Sequence, residues 1–228
     1  MLSYNSPAPM PGELPTVDPM SATMDPLGQN PPLTSSNTIA MVNGQQAPHV
    51  HHIWLVTGPA GCGKTTVAEY LSKSLNLPYL EGDAYHPKVN IDKMANGIPL
   101  TDADRWDWLT LLREESLKQL ASGAEGVVLT CSALKRKYRD VIRVAPYFTH
   151  DVQLHFIYLH ASEDVLLERV ESRQGHYMGA NMVRSQFEIL EPPTAEETDV
   201  ISIDVSGSIQ GVFSVALRQA RNKISEAG

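Results

Sequence analysis

The sequence predicts a three-layer α/β fold: a five-stranded parallel sheet with helices on both faces and a helical lid. Three observations carry that expectation. From residue 49 onward, short apolar runs alternate with longer helical patterns, as in successive βαβ units. Two of the runs, Val127-Val128-Leu129 and Phe156-Ile157-Tyr158-Leu159, are apolar without alternation, as strands covered on both faces are. Finally, Gly58-Pro59-Ala60-Gly61-Cys62-Gly63-Lys64-Thr65 stands between an apolar run and a helix-like segment, with the spacing of a phosphate-binding loop.

The first 48 residues differ from the rest. Proline recurs from Pro7 to Pro48, the only charges are Glu13, Asp18 and Asp25, and Tyr4 is the sole aromatic. Such a segment cannot bury enough apolar surface to offset its ordering entropy, so residues 1–48 read as a disordered extension. It has neither the basic start and apolar centre of a secretory signal nor the arginines of a transit peptide. It is either a docking tail or a tolerated addition. Residues 49–228 form the expected globular domain; a chain of about 180 residues buries roughly 70% of its unfolded surface. The net charge of −8 argues against nucleic acid as a partner, and no apolar run is long enough for a bilayer. Two cysteines far apart, Cys62 and Cys131, suit a reducing compartment, hence the cytoplasm.

Expected strands cover residues 52–57, 78–81, 126–131, 152–160 and 200–205. Expected helices cover 64–76, 87–95, 104–122, 135–144, 162–173, 181–190 and 208–224. The loop after the first strand binds phosphate. Its glycines reach conformations closed to other residues, and successive amides from Gly58 to Thr66 face one concavity at a helix N-terminus. Lys64 can reach the β- and γ-phosphates, and the Thr65 hydroxyl can ligate Mg²⁺. Cys62 is a small residue that fits the loop; a redox role is the alternative, since a helix N-terminus and a lysine lower a thiol pKa.

Glu81-Gly82-Asp83 ends the second strand, on the side where ligands of open parallel sheets bind. Asp83 is placed to orient or deprotonate an acceptor hydroxyl and to hold Mg²⁺, with an N-cap as the structural alternative. Gly82 is expected to permit close ligand approach. His86 either contacts substrate or sits in the turn before Pro87. Arg105 opens a helix where the dipole disfavours a cation, so it faces a bound anion or pairs with Asp102 or Asp107. Trp106 and Trp108 are expected in the core. The third strand ends Leu129-Thr130-Cys131, without the acid that a motor ATPase or switch GTPase would carry. Ser132, Lys135, Arg136 and Arg139 cluster after it, either on an anion or as a solvated basic face. Arg169 and Arg173 share a helix face ahead of a glycine-containing joint, which suits a lid at about residues 169–190 closing over phosphates. Pairing with Glu168 or Glu171 is their alternative.

Leu80-Glu81-Gly82-Asp83-Ala84-Tyr85-His86-Pro87, then Asn90, Lys93-Met94, Gly97-Ile98-Pro99-Leu100-Thr101-Asp102 and Asp104-Arg105-Trp106 resemble the gluconokinase family. The stretch from Cys131 to Asp140, Gly175-His176-Tyr177-Met178, Ser185-Gln186-Phe187 and Leu190-Glu191-Pro192-Pro193 fit the same family. The resemblance covers about residues 52–205. It implies a P-loop kinase fold and ATP- and Mg²⁺-dependent transfer to the 6-hydroxyl of D-gluconate, feeding the pentose phosphate pathway. It also implies lid arginines on phosphate, substrate contacts among Lys135, Arg136 and Arg139, and adenine held near Ser206 and Gly207. Many family members are homodimers. Two other functions remain open on sequence alone: phosphorylation of another sugar acid or a shikimate-like acceptor, and non-catalytic nucleotide-dependent binding.

Overall fold

The computed structural model describes residues 50–172 and 180–227. The proline-rich head, Arg173 and His176 lie outside the described residues. Strands β1 (His51–Thr57), β2 (Tyr79–Leu80), β3 (Gly126–Thr130), β4 (Val152–His160) and β5 (Val200–Asp204) make one parallel sheet in the order β2-β3-β1-β4-β5. Helices α1 (Lys64–Leu75), α2 (Lys88–Ala95), α3 (Trp106–Ala121), α4 (Arg136–Arg143), α5 (Ala145–Phe148), α6 (Glu163–Glu171), α7 (Ala180–Ile189) and α8 (Ile209–Ala227) complete the chain. After β1 the chain crosses to the edge strand β2, comes back to place β3 between β2 and β1, and then adds β4 and β5 on the other side of β1. That reversal opens a crevice beyond the carboxyl end of β1.

The sheet is buried on both faces, which is why its strands carry no alternation. Ile53 and Leu55 of β1 join one core with Leu109, Leu112, Tyr138 and Phe156, while Trp54 and Val56 join the other with Val67, Leu71, Leu166 and Val212. Asn76 ends α1 in the left-handed conformation, φ 54°, and its amide donates to Ser72 O, a helix stop that asparagine tolerates.

Several boundaries differ from expectation, and one short helix was not expected. β2 is shorter because the chain turns into a single 3-10 turn, Gly82–Tyr85, immediately after Glu81. A Cβ on Gly82 would lie 1.9 Å from the Thr130 carbonyl oxygen, so this glycine lets β2 and β3 approach and serves packing rather than a ligand. α3 starts at Trp106, not 104, because Asp104 instead accepts hydrogen bonds from the Thr101 amide and hydroxyl and pairs with Lys93 at 2.6 Å. The short α5 has no sustained period in sequence; Pro146 sits at its start, where a missing amide costs nothing.

At the opposite end of β1, two imidazoles are hydrogen-bonded to each other: His52 Nδ1 and His155 Nε2 lie 3.0 Å apart, with the His155 ring stacked 4.3 Å from Trp54. Burial, then the neighbouring His52, pushes the His155 pKa down to about 4 from 6.5. The unfolded chain therefore takes up this proton first as pH falls. Stability from this site is fully present above pH 6.5, declines toward pH 4 and levels below it. Urea titrations are expected to show a loss of about 2–3 kcal/mol across that window. His155→Gln should flatten the slope; an unchanged slope would place its cause elsewhere.

Candidate active site

A cleft of about 400 Å³ opens at the carboxyl ends of β1, β2 and β3. Its floor is the Gly58–Thr65 loop. Gly58 has φ 140°, and a Cβ there would stand 2.3 Å from the Leu159 carbonyl oxygen, so β4 and the loop can pack only around glycine. Gly61 and Gly63 also have positive φ, 84° and 90°. Lys64 Nζ donates to Gly58 O at 3.0 Å and Pro59 O at 3.1 Å, which holds the ammonium over the loop. Ala60, Gly61, Gly63, Lys64, Thr65 and Thr66 all line the cleft.

Cys62 is buried, and burial raises its thiol pKa despite the charge of Lys64. Desolvation outweighs the cation and the helix end, so Cys62 lacks the thiolate character of a redox sensor. It serves as a small packing residue.

The two carboxylates after β2 divide sharply. Glu81 is a hub of hydroxyls: it accepts from Thr65 at 2.9 Å, from Tyr79 at 2.5 Å and from Thr130 at 2.5 Å. Burial raises its pKa, but these three donors outweigh burial and hold it below the ordinary range. Asp83 lines the cleft and is solvent-exposed, beside Lys64 and Glu81. Desolvation raises its pKa, Lys64 opposes, and Glu81 adds to the rise. Neighbouring acids pushed in opposite directions are how one site keeps one ionised and makes the other a base. Glu81 was missed as a site residue on sequence. The readable signal was the acid-free end of β3, because Glu81 meets Thr130 there from the adjacent strand.

Across the cleft, the buried His86 ring stacks on Trp108 at 3.9 Å, and the Trp108 indole donates to Gly82 O at 2.8 Å. Burial, then the charge of Arg105, pushes the His86 pKa down to about 4, so the imidazole is neutral near pH 7. Its Nδ1 has no hydrogen-bond partner among the described residues. Trp108 belongs to the core as expected, whereas Trp106 is 37% exposed. Arg105 lines the cleft beside Leu100 and Met94 and forms no ion pair with Asp102 or Asp107. From the lid, Met182 and Gln186 of α7 and Val170 of α6 close one wall; Gln186 Oε1 accepts the Ala60 amide at 2.7 Å.

Several expected site residues lie elsewhere. Arg139 is a correction: it is 1% exposed and its guanidinium chelates Glu197 through two bonds of 2.7 Å, with further bonds to backbone carbonyls of Ala133, Leu134 and Glu191. It is a buried structural cation. Arg136 is exposed and pairs with Glu196 at 3.2 Å, outside the cleft walls, which corrects its assignment to substrate. Lys135 pairs with Asp102 at 3.2 Å and does not line the cleft. Arg169 donates to Val205 O at 2.6 Å instead of pairing with Glu168 or Glu171, close enough to the loop for its charge to act on Cys62. Ser206 and Gly207 follow Val205 on the exposed turn after β5, also outside the cleft walls. Cations at the start and first turn of α4 thus point to different places, which a run of cations in sequence does not disclose.

Residues 55–188 match a family described as an AAA domain. The chain is 48% identical over 169 residues to a probable gluconokinase of Schizosaccharomyces pombe, covering 74% of this chain and 86% of that protein. It is 39% identical over 166 residues to the thermoresistant gluconokinase of Escherichia coli strain K12, covering 73% and 91%. The crystal structure of a gluconokinase from Sinorhizobium meliloti 1021 superposes with a TM-score of 0.66 at 39% identity, covering 81% of this chain and all of that one. The APS kinase CysC of Mycobacterium tuberculosis shares the fold at 19% identity and TM-score 0.53.

Proposed function

The chain belongs to the gluconokinase family, and from that membership we infer that it transfers the terminal phosphoryl group of ATP to the 6-hydroxyl of D-gluconate, giving 6-phospho-D-gluconate and ADP. The observation that carries the residue roles is the opposed behaviour of Glu81 and Asp83 in one cleft with Lys64.

ATP lays its phosphates along the amides of the loop, and Lys64 exchanges loop carbonyls for β- and γ-oxygens. Asp83, with its raised pKa, orients the 6-hydroxyl and accepts its proton as the O–P bond forms. Arg105 holds the gluconate carboxylate, with two of its nitrogens available for a bidentate contact. Neutral His86 offers a hydrogen bond to a sugar hydroxyl. Arg169 and Arg173 are the lid cations assigned to the transferred group. The turn at Ser206 and Gly207 is the adenine side, tied to α6 through the Arg169–Val205 bond.

The donor set fits Mg²⁺. Thr65 and two carboxylates are hard oxygen ligands, and Mg²⁺ in kinases takes only one or two protein oxygens and fills the rest with phosphate and water. Among the described residues no group of three or more His, Cys, Asp or Glu side chains is gathered as a metal site. Thr65, Glu81 and Asp83 would hold the ion, which when bound neutralises phosphate charge. The cytoplasm as location and a homodimer as assembly go with the reading; no described helix is long and apolar enough to cross a membrane.

Coupled ADP release across a panel of sugar acids, with shikimate included, tests the acceptor. D-Gluconate should show the highest kcat/KM. Equal turnover of other acids would sink the assignment, and ATP binding without turnover would favour a non-catalytic binding protein.

A further inference from the structure

The basic run that misses the cleft still meets it indirectly. We propose that Asp102, Tyr138, Lys135 and Lys137 form a positioning network that fixes the guanidinium of Arg105 in the acceptor half of the cleft. The inference rests on the reading of Arg105 as the group that holds the gluconate carboxylate.

Arg105 is held along one edge only. Its Nη1 donates to the Leu100 carbonyl, to Thr101 O at 3.1 Å and weakly to Tyr138 Oη at 3.4 Å. The guanidinium carbon stands 5.3 Å from the centre of the Tyr138 ring. Nε and Nη2 make no hydrogen bond among the described residues, so the open edge is the one left for an anion. Tyr138 is itself 1% exposed, and its hydroxyl donates to Asp102 Oδ1. The same oxygen takes Lys135 Nζ at 3.2 Å, and Oδ2 takes Lys137 Nζ. Both ammonium groups also lie over the Tyr138 ring, at 5.7 and 6.0 Å.

Residues 96–105 form no helix or strand; α3 anchors the Arg105 backbone at its N-cap, where the Leu109 amide donates to the Arg105 carbonyl at 2.9 Å, but no regular element on that side holds the side chain. α4 supplies the hold from across the chain. Two lysines at its start clamp Asp102, and Asp102 and Tyr138 together pin the loop that carries Arg105. Arginine has several rotatable bonds, and a side chain already ordered in the free protein loses less freedom on binding. Asp102 also supplies the negative charge that lets three cations share one aromatic ring. Without it their repulsion would push Arg105 off the ring.

Steady-state kinetics of the full chain carrying Tyr138→Phe, Asp102→Asn, both changes, or Arg105→Ala decide the matter. Tyr138→Phe keeps the ring and removes the hydroxyl; Asp102→Asn keeps an acceptor and removes the charge. Each single change is expected to raise KM for gluconate by about five- to tenfold, with KM for ATP within about twofold, the effect of one well-placed polar contact. The double variant should resemble the singles, since both act through Arg105. An unchanged gluconate KM in Tyr138→Phe, or a parallel rise in both KM values, overturns the proposal, and Tyr138→Phe decides alone if Asp102→Asn does not fold. An unchanged gluconate KM in Arg105→Ala would instead overturn the carboxylate reading itself.

Discussion

Asp83→Asn is expected to lower kcat by about 10²- to 10⁴-fold, the range for loss of a positioned acid–base group. The amide keeps the shape and can still accept a hydrogen bond from the 6-hydroxyl, but it cannot take the proton. KM for ATP should stay within about twofold, since loop amides and Lys64 carry the phosphates. The pH dependence follows from the direction of the Asp83 shift. Partial desolvation, with the charge of Glu81 adding to it and that of Lys64 opposing it, holds its pKa above the ordinary carboxylate value, so the base form is lost earlier on acidification than an unperturbed aspartate would lose it. Turnover should fall as pH drops through that raised pKa, and the limb should vanish in the variant. Full activity in Asp83→Asn would remove both the base and the orienting role.

Arg139→Ala is expected to have the largest effect on stability. Arg139 and Glu197 are each 2% exposed at the side chain and bonded twice, and Arg143 adds a third contact to Glu197 at 2.6 Å. Removing Arg139 takes two bonds from the buried Glu197 carboxylate and leaves Arg143 as its remaining cation, so the loss falls near the low end of the range for a broken buried pair, about 3 kcal/mol. For a domain of this size that is a fall in Tm of about 10 °C. Glu197 shows the same coupling from the other side: the hydrogen bonds from Arg139 lead the causes that hold its pKa at about 2, against 4.5. Its contribution is present above pH 4.5 and is lost as pH falls through about 2. Calorimetry reads the shift, and gluconate KM in the surviving folded protein separates this role from substrate binding. A stable variant with a raised gluconate KM would restore Arg139 to the acceptor site.

The contrast between these residues shows where sequence reading stops. Asp83, Lys64 and Thr65 are legible as cleft residues because their positions follow from local geometry: a loop after a strand, a residue at a strand end. Glu81 was in plain view in Glu81-Gly82-Asp83, yet its task depends on Thr130, 49 residues away and on the neighbouring strand. In sequence Gly82 suggests room for a ligand, whereas in the fold it makes room for the Thr130 backbone. Lys135, Arg136 and Arg139 looked alike as a cluster of cations. In the structure one clamps Asp102, one meets Glu196 at the surface and one is sealed against Glu197.

The order of strands and helices, the phosphate loop and the placement of Asp83 beyond β2 were all written in local pattern: apolar runs, glycines and the residues beside them. Only the tertiary structure decided which cation faces the cleft. Charge has no period along a chain, and an arginine reads the same whether its partner is a substrate carboxylate or a glutamate from a distant segment. Burial and the identity of the carboxylate opposite make the difference, and both arise only when the chain closes on itself.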